Sequence, residues 1–264
     1  MSIRTAPFPA ATLLALGTFA AVASVARPTG AQTLVESSAE ARFQLDLQVP
    51  RAALMSFIPS GWTANVSTRG AAKDANLRAI FIERLTINGP DGSPLGDGSN
   101  ILVYLTVPVT NPDGDNVQLV IGGITADPAD APGPFGVYLP ASTHTLKRTT
   151  TSGSGPIVET QDWVFTAASG EHLEMHITFE RGVGNSRPAR ETRFYSAKNP
   201  DFYQISRQRQ VLDILRNVTT SPPDRVRDFS FTAGGGSYAG LFDGTERALS
   251  WDNIVWLNRE VLLP

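Results

Sequence analysis

The chain contains no cysteine and almost no lysine. Lys73, Lys147 and Lys198 are the only three lysines, so arginine supplies the other 19 of its 22 basic residues. The missing thiol excludes disulfides, thiolate catalysis and a lipid anchor carried on cysteine. The shortage of lysine narrows amine chemistry, because arginine cannot form a Schiff base with a carbonyl substrate. Histidine is scarce as well, with His144, His172 and His176 only. Most imidazole or amine mechanisms must therefore pass through these six residues. The arginine excess does not make the chain basic: its formal net charge is −3. Neither nucleic acid nor an anionic membrane is an expected partner. No motif calls for a cofactor, and the sequence leaves a homo-oligomer open.

What is present begins with an N-terminal segment of export type. Arg4 is followed by an apolar, alanine-rich run from Ala10 to Ala26 and then by small residues, with a cleavage site expected after Ala31 and an alternative after Ala26, which Pro28 disfavours. The run is shorter than the roughly 20 residues a membrane-spanning helix needs. Residues 1–31 are thus predicted to be a signal peptide, and residues 32–264 a single β-rich domain, secreted or periplasmic, with no membrane partner after cleavage. At about 230 residues the remaining domain is long enough for a substantial core.

The rest of the chain reads mostly as strands. Phe43, Leu45, Leu47 and Val49 alternate with Arg42, Gln44, Asp46 and Gln48, which predicts a strand with one buried face. Pro50 then opens a short helical turn through Phe57. Further strands are predicted at residues 77–87, 101–109, 117–124, 135–139, 144–150, 157–165, 172–179, 226–231, 238–242 and 248–263. The run 101–109 is apolar enough to be buried on both sides. Pro200-Asp201 looks like a helix start, with Ile205, Val211, Leu212, Ile214 and Leu215 as its apolar stripe. Short strands separated by turn signals imply a mainly β fold, an antiparallel β-barrel or double-sheet architecture with one or two short helices.

The most pointed local pattern is His172-Leu173-Glu174-Met175-His176. On a strand His172, Glu174 and His176 share one face, while Leu173, Met175, Ile177 and Phe179 point into the core. Two histidines and a carboxylate form a recognised transition-metal ligand set. The roughly 13 Å between His172 and His176 on an extended strand argues against one ion reaching all three. Polar ligand binding or a half-exposed strand face are the other readings. Lys147 stands on the predicted strand with His144, where burial would make it a base or amine nucleophile and exposure would make it an ordinary edge lysine. Arg181, Arg187, Arg190 and Arg193 form a loose basic cluster suited to a carboxylate ligand; neighbouring glutamates favour a solvated, salt-linked surface. Ser237, in Gly235-Gly236-Ser237-Tyr238-Ala239, does not complete a nucleophile elbow.

The stretch Val49-Pro50-Arg51-Ala52-Ala53-Leu54, with Pro59-Ser60-Gly61, resembles the acetoacetate decarboxylase-like superfamily, as does the strand ending Val107-Pro108-Val109. Gly133-Pro134-Phe135-Gly136-Val137 loosely follows the same pattern. The resemblance covers about 90 residues and implies a closed or cone-like β-barrel around a small-molecule cavity. The family's Schiff-base lysine has no counterpart in Gly136–Ser142, its acidic position falls near Leu102, and its Gly-Arg-Glu triplet is missing. The resemblance therefore implies a small-molecule ligand, a carbonyl or carboxylic-acid compound, bound or converted by a divergent lyase. Lys147, His172 and Glu174 are its candidate catalytic residues, and His144, His176, Arg181 and Arg193 its candidate ligand-binding residues. A metal-dependent enzyme built on His172, Glu174 and His176 and a noncatalytic secreted interaction module are the alternatives.

Overall fold

In the computed structural model, which describes residues 32–215 and 225–264, the alternation around Phe43 belongs to a long strand, β1 (Thr33–Gln48). Phe43, Leu45 and Leu47 are fully buried on one face, as their spacing predicts. The opposite face is buried as well: Glu40, Arg42 and Asp46 are all removed from solvent. The sequence predicts water there, and topology supplies the correction. The polar face of β1 turns into the interior of a barrel.

Pro50 starts the expected short helix, α1 (Arg51–Met55), whose Leu54 anchors it in the core. The strands that follow are β2 (Thr63–Ala64), β3 (Leu77–Asn88), β4 (Asn100–Thr110), β5 (Asn116–Thr125), β6 (Tyr138–Thr151), β7 (Val158–Ala167), β8 (His172–Glu180), β9 (Asn185–Ser196), β10 (Tyr203–Ile214), β11 (Val226–Gly234) and β12 (Arg247–Leu263). The helix expected over residues 200–215 is strand β10 instead, held between β9 and β12. The strand expected at residues 238–242 is replaced by a short 3₁₀ turn, Gly236–Tyr238. Residues 1–31 lie outside the described residues, and the expected signal segment with them. The described residues belong to one compact unit.

The pairings define two layers. Strands β5, β9, β10, β12, β1, β3 and β4 follow one another, and β4 pairs back onto β5, which closes a ring of seven. The second layer is the antiparallel run β6-β7-β8-β11. Between the layers lies the main core. Phe43 meets Phe179 at 5.9 Å and Phe81 meets Trp163 at 5.7 Å between ring centres, so aromatic side chains from both layers interdigitate. Strand β4, predicted to be buried on both sides, is so: Val103, Leu105 and Val107 face the main core, while Leu102 and Tyr104 join Ile80, Ile82, Val120 and Phe135 inside the barrel.

Strand β5 is where the layers join. Gln118–Val120 pair in parallel with β9 of the barrel, and Gly123–Thr125 pair in parallel with β6 of the second layer. Gly122 and Gly123 occupy the fork, beside a register shift against β4. The Tyr238 hydroxyl closes on this point, 2.7 Å from the Gly123 amide. A methyl group on Gly123 would stand 2.6 Å from the Val103 carbonyl oxygen, a backbone atom that cannot step aside. Gly123→Ala is therefore expected to cost about 1–3 kcal/mol, the usual penalty of forced overpacking, seen as a lower urea midpoint.

Candidate functional site

Barrel closure decides where polar chemistry collects. Inward-facing residues of β1, β3 and β12 bring Glu40, Arg42, Arg84 and Arg259 into one buried group, which Glu36 joins from the side. The Glu40 carboxylate accepts from Ser38 Oγ at 2.7 Å and Arg42 Nε at 2.6 Å; Arg259 Nη2 lies 2.9 Å away and Arg84 Nε 3.5 Å. Burial alone would raise the Glu40 pKa. Arg259, Arg42 and Arg84, helped by the Ser38 hydroxyl, more than offset this and hold it at about 2. Beside this group Tyr138 donates to the Pro132 carbonyl at 3.1 Å, and burial pushes its phenol well above the usual range.

Next to the network the barrel holds a cavity of about 530 Å³. Its wall carries four arginines, Arg42, Arg78, Arg187 and Arg190, with Gln44, Gln118, Gln208 and Gln210 between them. Ile80, Tyr104, Phe194 and Ile254 supply an apolar side. The cavity is open because β9 leaves the barrel wall. Residues Asn185–Glu191 are exposed and pair only with β10, while β9 meets β5 only at Phe194–Ser196.

A local irregularity on β9 aims two of the arginines. Gln208 pairs with Arg190 and Gln210 pairs with Arg187, so three steps on β9 match two on β10. Residues three apart on a regular strand face opposite ways. The bulge at Pro188-Ala189 restores the phase and turns Arg187 and Arg190 to the same side. Proline is at home at such a position because it has no amide to donate to a ladder. Arg78 is held by Asp46 at 2.8 Å and Arg42 by Glu40, whereas Arg187 and Arg190 form no ion pair within 4 Å among the described residues.

The residues singled out from the sequence mostly lie elsewhere. Leu173, Met175, Ile177 and Phe179 are buried as predicted, so His172, Glu174 and His176 face outward on the second layer. His176 Nδ1 lies 2.5 Å from Asp162 and its Nε2 3.5 Å from Asp228, so carboxylates flank both ring nitrogens. Lys147 is exposed opposite Asp162 in the ladder, and His144 is exposed on the same strand. Arg181 is tied to the buried Glu159. Arg193 pairs with Asp115 at 2.8 Å and lies 5.7 Å from the ring centre of Tyr203, beside a neighbouring groove. None of the seven lines the arginine cavity. Lys73 and Lys198 are also exposed, so no lysine reaches the barrel interior. Ser237 donates to Glu171 at 3.0 Å, a structural contact. His172, Glu174 and His176 do not draw their ligand atoms together. Among the described residues the acids that do are Asp97, Asp127 and Asp130, in loops where Asp127 and Asp130 accept backbone amides at 2.8 and 3.0 Å.

The cavity residues the sequence reading missed are Arg42, Arg78, Tyr104 and the floor of β12. Their signal was the Arg42-x-Gln44-x-Asp46 row, too polar for a core and too regular for a loop. The signal for Arg187 and Arg190 was a proline between two arginines on a strand.

Solved structures share this fold. The enduracididine biosynthesis enzyme MppR, solved with the condensation product of pyruvate and imidazole 4-carboxaldehyde, is 11% identical, with 87% of each chain covered and a TM-score of 0.51. An acetoacetate decarboxylase-like enzyme from Sphingomonas wittichii RW1 is 12% identical over 90% of this chain and 96% of that one, with a TM-score of 0.51. The acetoacetate decarboxylase of Legionella pneumophila is 8% identical, with 88% of each chain covered and a TM-score of 0.50. No family model and no curated protein sequence matches the chain. The fold is thus that of the acetoacetate decarboxylase-like structures, as the short motifs at Val49–Gly61 and Val107–Val109 imply. Among the described residues no helix is long and apolar enough to cross a membrane.

Proposed function

We propose that this chain is an exported small-molecule-binding protein of acetoacetate decarboxylase-like fold that holds an organic anion noncovalently in its barrel cavity. The observation that carries the reading is the wall of Arg42, Arg78, Arg187 and Arg190 around about 530 Å³, with Arg187 and Arg190 forming no ion pair within 4 Å among the described residues. Guanidinium groups match carboxylates in shape and charge, and the apolar side formed by Ile80, Tyr104 and Phe194 suits a short carbon skeleton. Any turnover in this cavity proceeds without an enzyme amine, since all three lysines lie at the surface.

Titration calorimetry with succinate tests the binding reading. Wild-type protein is expected to bind, and Arg187→Gln to bind about tenfold more weakly, the loss of one charge-assisted hydrogen bond. Absence of binding, or equal affinity in the variant, would sink it. Incubation with pyruvate and borohydride is expected to leave the protein mass unchanged; a reduced adduct on any lysine would restore the Schiff-base alternative.

A further inference from the structure

Resting on the anion-site reading, we propose that the cavity takes up a divalent organic anion together with a proton, and that the proton goes to the carboxylate of Asp252. The placement comes from three alternate rungs of the β1–β12 ladder. Arg42 pairs with Ile254, Gln44 with Asp252, and Asp46 with Ser250. Arg42, Gln44 and Ile254 all line the cavity. Alternate residues of a strand share a face, so Asp252 faces the same interior one step below Ile254. On its other side Asp252 pairs with Ile214 of β10, two residues from Leu212, which also lines the cavity.

The charges around Asp252 come from four other strands: Asp46 on β1, Arg78 on β3, Arg187 on β9 and Asp213 on β10. Their partnerships differ. Asp46 accepts from Arg78 Nε at 2.8 Å and from Ser250 Oγ at 2.7 Å. Asp213 is paired with Arg225. Asp252 is left as the interior acid that balances Arg187. An anion entering the cavity competes with Asp252 for Arg187 and Arg78, and protonation of Asp252 removes the competitor. Burial, and then the nearby Asp46 charge, push its carboxyl up to about 6 against the opposing pull of Arg78 and Arg187. The proton therefore exchanges close to neutrality. Glu40, held at about 2 by three arginines, stays ionised through the same range.

The balance is simple. A dianion and one proton enter, Asp252 passes from carboxylate to carboxylic acid, and no covalent bond in the ligand changes. Two arginines that form no ion pair within 4 Å among the described residues, brought to one side by the β9 bulge, favour two negative charges over one once Asp252 is neutral. Binding and protonation are linked, so a bound anion that raises the Asp252 pKa by one unit binds tenfold more tightly below both pKa values than above them.

Sulfate is the probe, because its own charge is constant across the range. Calorimetry from pH 5 to pH 8 is expected to show affinity falling about tenfold, with uptake of about half a proton near pH 6.5 revealed by buffers of different ionisation enthalpy. Asp252→Asn is expected to bind sulfate with the low-pH affinity at every pH and to take up no proton. Wild-type affinity that is flat with pH and free of proton uptake would overturn the proposal and leave the anion site standing. So would an Asp252→Asn protein that keeps the wild-type slope. Failure of sulfate to bind at any pH would overturn both. Should the variant not fold, the wild-type slope and proton count decide alone.

Discussion

Replacing Glu40 with glutamine is expected to destabilise the protein by about 3–5 kcal/mol, the usual cost of removing one partner from a buried ion network. Glu40 is fully buried, and Arg42, Arg84 and Arg259 all direct guanidinium groups at it while being no more than 6% exposed themselves. Without its charge three arginines would face each other inside the barrel, with Glu36 as the remaining acid. Against a typical total stability of about 5–15 kcal/mol, the loss is large. Urea unfolding measures it. The pH dependence gives a second check. The folded pKa of Glu40 is depressed from 4.5 to about 2. Its stabilisation is therefore present above 4.5 and fades as the pH falls toward 2, so the wild-type and variant proteins should converge in acid. A variant within 1 kcal/mol of wild type at pH 7 would mean that the arginines are not held by this carboxylate.

The second large effect concerns binding rather than folding. Arg187→Glu combined with Arg190→Glu is expected to weaken sulfate or succinate binding at least a hundredfold. Two charge-assisted hydrogen bonds, each worth about 1.5–3 kcal/mol, are lost and two like charges take their place. The thermal midpoint should move little, because both residues lie on the exposed stretch of β9 and form no ion pair within 4 Å among the described residues. Equal losses of stability and binding would point to a collapsed β9 and a structural role for the two arginines. Retained affinity would place the anion elsewhere.

Part of this arrangement is legible in the chain and part is not. Strand β8 could be read because its layer has one buried face, so Leu173, Met175, Ile177 and Phe179 stand out at period two. Strand β4 could be read because both its faces are apolar. Strand β10 could not: one side faces a polar cavity through Gln208 and Gln210, and a register shift at Val211-Leu212 breaks the alternation, leaving Ile205, Val211, Leu212 and Ile214 at spacings that mimic a helix. The same cause hides the site. In a barrel, a row such as Arg42, Gln44 and Asp46 has the appearance of a solvent-facing strand edge until closure fixes which side is inside. Asp252 depends on a ladder that joins it to Gln44 across most of the chain, and no local pattern carries that information. The conspicuous His172-Glu174-His176 row is, by contrast, an outer face on which His176 meets Asp162 and Asp228.

Anomalous diffraction from a crystal soaked in selenate tests the location of the anion site most directly. Selenate is expected inside the barrel, within hydrogen-bonding distance of Arg187 and Arg190 and on the cavity side of Arg42. Selenate found only on the outer surface, or beside His172 and His176 on the second layer, would contradict an anion site in the barrel.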